Sequence, residues 1–354
     1  MKILAIETSC DETAVSIVEC RGDLESPSFS VLAHQVSSQV ALHAPYGGVV
    51  PNIAKREHLK NLPVVLAQAL AEAGLTESSA QEVIEAVAVT VGPGLEPALW
   101  TGIEFAKDLA QKWNKPLIPT NHLEGHVISP LLEGKEISLP AMALVASGGH
   151  TELVLVKNLG EYEKVGATKD DAAGEAFDKV ARLLGLAYPG GPNLSKLAET
   201  VTKQDTWILP RPMLNSKDYN FSFSGLKTAV LYAKNNYEKE KSRELNDEEK
   251  AELAFEFEQA VVEVLLTKTL KAAEQYGANT IILGGGVIAN QRLRAAFEVK
   301  SEEGFNLLIP NFNLATDNAT MIAMASYIRY LKNDFISPSA IPSSNISANG
   351  NLNF

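Results

Sequence analysis

Twice in this chain an apolar, strand-forming run breaks at a short polar turn and then resumes, and no other sequence feature restricts the fold as tightly. Residues 3–7 and 13–19 flank Thr8-Ser9-Cys10-Asp11-Glu12, and residues 141–146 and 152–157 flank Ser147-Gly148-Gly149-His150-Thr151. Runs rich in Val, Ile and Leu on both sides of a small polar turn read as paired strands. A third extended run follows each pair, at 30–35 and at 162–168. Helices and further strands then alternate. In the first half a helical stretch over 53–73, interrupted near Pro63, leads to a buried strand at 85–91. That strand ends at Gly92-Pro93-Gly94, and a helix runs on to about Trp113. In the second half helices are expected at 172–184 and 247–276, around an irregular middle. The strand 280–283 stops at Gly284-Gly285-Gly286, a helix starts near Asn290, and a strand at 307–309 and a helix at 317–331 complete the order.

Two halves of the same plan predict a duplicated α/β fold of two lobes with a ligand cleft between them. The N-terminal lobe is expected over 1–136, with a C-terminal helix at 316–334 packing back toward the cleft. The C-terminal lobe is expected over 137–315. The Ser-, Pro- and Asn-rich stretch 336–354 reads as a mobile tail.

Composition narrows the function. With 354 residues, 45% of them hydrophobic and 21% charged, the chain can fill the cores of two domains. A net charge of −12 is unlike a self-sufficient nucleic-acid binder. A local basic face or a partner subunit can still supply phosphate contacts. No apolar run approaches the length of a membrane span, and the first residues turn acidic too soon for a signal peptide. Two cysteines, Cys10 and Cys20, imply no disulfide framework. A cytoplasmic protein with no membrane association is expected.

The chemistry gathers at Asn121-His122-Leu123-Glu124-Gly125-His126. If Asn121 caps a helix here, His122 and His126 lie one turn apart, about 5–6 Å between Cβ atoms, close enough to share a metal ion. Glu124 stands two residues from either histidine, unlike the protease motif H-E-x-x-H, in which the carboxylate directly follows the first histidine. Two unliganded helix histidines are the plain alternative. Asp317 either caps the last helix or completes a two-histidine, one-carboxylate site. The turn 147–151 suits an anion, because glycines let backbone N–H groups approach it. Asp11 and Glu12 suggest metal or base chemistry, or simply solvated turn residues. Gly284-Gly285-Gly286 with Asn290 fits backbone approach to a nucleotide. Asp178 reads as a helix carboxylate, and Pro189-Gly190-Gly191-Pro192 as rigid loop or ligand surface. Phe221-Ser222-Phe223-Ser224 is either a strand end with a Ser224 cap or part of an acceptor-binding lip.

Taken together these residues resemble the TsaD family, formerly called O-sialoglycoprotein endopeptidase or Gcp. The matching motifs run colinearly: Ile6-Glu7-Thr8-Ser9-Cys10-Asp11-Glu12-Thr13, Tyr46-Gly47-Gly48-Val49-Val50-Pro51, Gly92-Pro93-Gly94-Leu95, the His122 to His126 segment, the 147–151 turn, Asp170-Asp171-Ala172-Ala173-Gly174-Glu175-Ala176-Phe177-Asp178-Lys179, and Thr316-Asp317-Asn318-Ala319. The resemblance implies the duplicated actin/hexokinase-like ATPase fold (ASKHA, ribonuclease H-like). The implied activity is transfer of the threonylcarbamoyl group from threonylcarbamoyl-AMP to N6 of adenosine 37 in tRNAs reading ANN codons. It further implies one divalent metal ion on His122, His126 and Asp317, iron in the usual assignment, with zinc also seen. Ala146, Ser147, Gly148, Gly149 and His150, with Asp178, Gly191 and Asn290, would bind the adenylate, and Asp11 and Glu12 would be needed for activity. The implied partners are tRNA, a TsaB-like paralogue and a TsaE-like ATPase.

Asn52, Lys55, Glu96-Pro97, Ala315 and Thr320 depart from the family's usual residues, and none of them is an implied ligand. The rival readings are a small-molecule kinase or ATPase of the same superfamily and a non-catalytic dimer-partner paralogue. Neither has a use for a His/His/Asp set.

Overall fold

The computed structural model describes residues 1–202, 205–302 and 304–354. They form two compact units. The first comprises Met1–Glu136, Asn158–Tyr162 and Pro310–Phe354, and the second Ile137–Lys157 and Glu163–Ile309.

The first unit is built on β1 (Lys2–Glu7), β2 (Glu12–Arg21), β3 (Ser28–Ser38), β4 (Ala86–Gly92) and β5 (Leu117–Asn121), in the order β3-β2-β1-β4-β5. β1 runs antiparallel to β2 and parallel to β4, which pairs parallel with β5. Alternate residues face opposite sides of a strand, and here both sides are covered. Leu4, Ile6, Val15, Val87 and Val89 pack on Leu62 and Val65 of the Pro51–Glu72 helix and on Leu99 and Ile103 of the Glu96–Trp113 helix. Ile3, Ala5, Ala14, Ala88 and Ile118 meet Met321, Ile322 and Tyr327 of the Ala319–Leu331 helix. Burial on two faces explains why these strands read as continuous apolar runs rather than alternating ones.

Two expectations fail here. The Pro51–Glu72 helix runs through Pro63 without a break. Proline removes one i→i−4 bond, and the carbonyl so released belongs to Leu59, which is 58% exposed and can be hydrated. The stretch 336–354 is laid down on the unit rather than mobile. Ile336 pairs with Leu117, the 3-10 turn Pro338–Ser343 buries Ile341 completely, and Asn349 donates its N–H to Val91. Isolated apolar residues in polar surroundings anchor the segment, and average composition hides them.

The second unit repeats the topology with β6 (Ala141–Ala146), β7 (Thr151–Asn158), β8 (Glu161–Ala167), β9 (Thr280–Gly284) and β10 (Asn306–Leu308), in the order β10-β9-β6-β7-β8. β6 is antiparallel to β7 and parallel to β9, as β1 is to β2 and β4. Its core joins Met142, Leu144 and Leu153 to Phe177, Phe221 and Phe257. Phe257 lies on the Asp247–Gln275 helix, which starts at an Asn246/Glu249 capping box. The middle expected to be irregular holds the helix Gly190–Ala198. Ser224 opens the next helix, Ser224–Lys241, without capping it. The Asp170 carboxylate does so instead, accepting from the N–H groups of Phe223 (2.8 Å) and Ser224 (3.1 Å). No described helix is long and apolar enough to cross a membrane.

Candidate active site

β5 runs straight into the His122–Ile128 helix, and Asn121 makes the junction by accepting from Leu123 N–H at 2.8 Å. Every residue of this helix is buried. His122 and His126 stack edge-to-face, 4.7 Å between ring centroids. Asp317 Oδ1 lies 3.3 Å from His122 Nε2 and 3.2 Å from His126 Nε2. In a tetrahedral site with bonds near 2.05 Å, neighbouring ligand atoms are about 3.3 Å apart, so both spacings fit ligands of one ion. One donor atom from each of the three residues lies within 4.8 Å of the others. The stronger observation concerns His126. Its ring is fully buried, Nδ1 has no hydrogen-bond partner, and Nε2 faces only the Asp317 carboxylate without a well-aligned hydrogen bond. Such a group costs free energy unless something else satisfies it, and an ion at Nε2 does so.

Asp317 is available because its neighbour does the capping. The Asn318 side chain accepts from Met321 N–H at 3.0 Å and starts the Ala319–Leu331 helix. Behind His122 sits Glu7, fully buried at the end of β1. Its Oε2 is 3.0 Å from His122 Nδ1 and accepts from Thr90 Oγ1 at 2.5 Å, while Oε1 accepts from Ser9 N–H. A carboxylate on Nδ1 leaves Nε2 for a metal and orients the ring. Sequence reading gave Glu7 no role. The signal was a charged residue closing an otherwise apolar strand.

The electrostatics alternate in sign. Burial pushes the His122 imidazolium down, but the Asp317 and Glu7 carboxylates on either side outweigh it and hold the pKa well above its ordinary value. Burial acts upward on Glu7 and on Asp317. His122 overrides it in both, leaving Glu7 below and Asp317 far below the carboxylate range. His126 is pushed down by burial. Glu124 takes no part. It is 3.1 Å from Arg329 Nη1 in an ion pair joining two helices, so no base stands where a peptidase of the H-E-x-x-H type needs one.

Asp11 lies in the turn between β1 and β2, and Glu12 opens β2. Asp11 is 7% exposed, and its Oδ2 has no hydrogen-bond partner. Glu12 accepts from Ser38 Oγ at 3.3 Å. Burial, then the neighbouring Asp11, then Asp317 drive its carboxyl well above the usual range.

In the second unit a cavity of about 350 Å³ opens beside the β6–β7 turn, lined by Gly148, Phe177, Asp178, Gly191, Ser195 and Asn290 among others. Asp178 Oδ1 accepts from Gly190 and Gly191 N–H (2.8 and 3.1 Å), which fixes the start of the Gly190–Ala198 helix. Asn290 caps the Gln291–Ser301 helix and donates to Ser195 Oγ and Glu258 Oε1. Gly148 and Gly149 have open space where a Cβ would stand, so their backbone is accessible.

Of the expected nucleotide-binding residues, Gly148, Asp178, Gly191 and Asn290 line this cavity. Ser147, Gly149 and His150 form the adjacent turn, closed by Ser147 N–H to His150 O at 2.8 Å. Ala146 is wholly buried, its carbonyl facing Gly285, and lies outside the cavity wall. Ser195 and Glu258 carried no sequence signal, since a helix never foreseen holds one and a core helix the other.

Two mixed sheets of the same strand order define the class: the actin/hexokinase-like ATPase (ASKHA) fold, carrying two buried histidines and a half-buried aspartate within ligand distance of one another. Solved structures agree on the fold. HypF of T. kodakarensis superposes with a TM-score of 0.62 at 14% identity, over 94% of this chain and 48% of that one. Component A of the Acidaminococcus fermentans (R)-2-hydroxyglutaryl-CoA dehydratase gives 0.51 at 11% identity, over 94% and 99%.

Sequence comparison goes further than fold. The profile described as TsaD, tRNA N6-adenosine threonylcarbamoyltransferase, matches residues 30–324. The tRNA N6-adenosine threonylcarbamoyltransferase of Thermosipho africanus is 48% identical over 94% of this chain and 95% of its own length. That of Burkholderia ambifaria is 46% identical over 93% and 92%. The chain belongs to the TsaD family of tRNA N6-adenosine threonylcarbamoyltransferases.

Proposed function

We propose that this protein transfers the threonylcarbamoyl group of threonylcarbamoyl-AMP to N6 of adenosine 37 in tRNAs reading ANN codons. The observation that carries the reading is the clustering of the buried His122 and His126 with Asp317, in a chain of this family. A kinase of the same fold has no need of it.

Adenine N6 is a weak nucleophile, so the reaction needs an activated carbonyl, a held amine and a proton acceptor. The N6–carbonyl bond forms as the bond from that carbon to the AMP phosphate oxygen breaks, and N6 gives up a proton. The Asp11 and Glu12 pair takes that proton, the affinity of the Glu12 carboxyl being raised by burial and by the neighbouring Asp11. The second-unit cavity, with the open N–H groups of Gly148 and Gly149, holds the adenylate and stabilises charge on the departing phosphate. His122, His126 and Asp317 would hold a divalent ion, iron(II) in our reading with zinc as the alternative, which would supply Lewis acidity. Glu7 keeps His122 in the tautomer that can bind it.

The net charge of −12 leaves much of the tRNA phosphate contact to partners. A TsaB-like paralogue and a TsaE-like ATPase fill that place in our reading, in the cytoplasm. The test is to deplete the protein in its host and measure N6-threonylcarbamoyladenosine in tRNA by mass spectrometry. The modification should fall with the protein and return with the wild-type gene but not with His122→Ala. Unchanged levels in a host with one gene copy would refute the reading.

A further inference from the structure

Behind the Asp11 and Glu12 turn lies a row of fully buried polar side chains that the chemistry above does not use. His43, His58 and Thr13 have no exposure, and Gln39 has 1%. They form one directional chain of hydrogen bonds. Val50 N–H, at the cap of the Pro51–Glu72 helix, points at His43 Nδ1 (3.3 Å). His43 Nε2 is 3.2 Å from Gln39 Oε1, and Gln39 Nε2 is 3.3 Å from His58 Nδ1. Thr13 Oγ1 is 2.8 Å from the same Nδ1, and His58 Nε2 ends the row 3.0 Å from the Cys10 carbonyl oxygen.

The two ends fix every proton between them. A backbone N–H can only donate, so His43 Nδ1 accepts and its Nε2 carries the hydrogen. That orients the Gln39 amide with its oxygen toward His43 and its NH2 toward His58. A carbonyl can only accept, so His58 carries its proton on Nε2 and receives hydrogen bonds on Nδ1. Burial favours the neutral ring.

The chain grips one particular residue. The Cys10 carbonyl belongs to the peptide unit before Asp11, and His58 holds it. The Asp11 carbonyl belongs to the unit after, and Gln39 N–H holds it at 2.9 Å. With both flanking peptide planes pinned, the backbone dihedrals of Asp11 and the direction of its Cα–Cβ bond are set. Only side-chain rotation remains. We propose that His58, locked in its Nε2–H form by Gln39 and Thr13, is a positioning residue that aims the Asp11 carboxylate, within the Asp11 and Glu12 pair, for proton transfer. The proposal rests on the catalytic role given above to that pair.

Glutamine and asparagine substitutions separate the two ends of the ring. His58→Gln places an amide N–H where Nε2 stood and keeps the donor to Cys10. His58→Asn reproduces only the Nδ1 side. In the transfer assay, reconstituted with tRNA, threonylcarbamoyl-AMP and the partner proteins, His58→Asn should lower kcat about 10–100-fold at unchanged KM, the scale of an ångström-level misplacement. His58→Gln should stay within a few-fold of wild type. Equal kcat in the two variants, or a KM that rises as kcat falls, would overturn the inference.

A measurement on the wild type does not depend on any variant folding. In 15N-histidine NMR, His58 should be the neutral Nε2–H tautomer across the pH range of activity, and an Nδ1–H form or an imidazolium contradicts the proposal. Asp11→Asn in the same assay separates the two readings. If it keeps full kcat, the assigned role of the turn fails. If it is inactive while His58→Asn is not, only the positioning inference fails.

Discussion

The β1–β2 and β6–β7 turns occupy the same place in two sheets of identical strand order, and they are built in opposite ways. The first is closed. Asp11 is buried, its backbone is held on both sides, and Ser9 and Glu7 lie against His122. The second is open, with Gly148 and Gly149 presenting bare backbone beside a cavity. Duplication has kept the scaffold, and the turn residues have divided the labour. One unit fixes its turn side chains, and the other leaves main chain exposed beside a cavity. The strands next to the two hairpins, β4 and β9, share one device instead: β4 ends in Gly92 (φ 155°) pressed against Asn349 O, and β9 is followed by Gly285 (φ 94°) pressed against Ala146 O, and neither position admits a side chain.

This division predicts effects that stay within one unit. The largest is expected for His126→Ala, which should drop bound metal to background by elemental analysis and reduce transfer more than about 100-fold. Nucleotide binding by the second unit should be unchanged, and its loss would mean the units are not chemically separable. Glu7→Gln should keep the metal but weaken it about 10–100-fold in chelator competition, as removal of a group orienting a ligand histidine does.

In the second unit Gly285→Ala should lower the melting temperature, at a cost of about 1–3 kcal/mol for a strained backbone. Adenylate affinity should fall and metal content should not. Acidity offers a gentler probe. The raised pKa of the metal-free His122 means a proton must leave before Nε2 can bind an ion, so affinity should rise about tenfold per pH unit below that pKa. An affinity flat between about pH 6 and 8 would show that the imidazolium is not the resting form. The smallest change is expected for Asn318→Ala, which removes a helix cap worth about 1 kcal/mol and tests whether Asp317 is held independently of it.

Much of this was legible in the sequence because it depends on local rules. Paired apolar runs around polar turns gave the two hairpins, and helical spacing put His122 and His126 on one face. The failures were all tertiary. Pro63 looked like a break because sequence does not show that Leu59, whose carbonyl it releases, lies on the exposed side of the helix. The stretch 336–354 looked mobile because its composition is polar, although Ile336 and Ile341 pin it. Asp317 competed with the adjacent Asn318 for the cap, and only the backbone decides between them. Ser224 sits at a helix start, but its cap comes from Asp170, 54 residues earlier in the chain. Glu7 and His58 gained meaning only from what they touch across the fold.

The first unit is assembled from three separate stretches, and the last of them, Pro310–Phe354, carries Asp317. During synthesis His126 emerges roughly 190 residues ahead of that ligand, an interval of about 10–40 s at ordinary elongation rates. All but the last ligand is therefore made before the Ala319–Leu331 helix can cover the sheet. The second unit, by contrast, is fully translated by Ile309. Loading of a metal on this set would thereby be a late event in the life of the nascent chain, coming after the whole of the second unit has been translated.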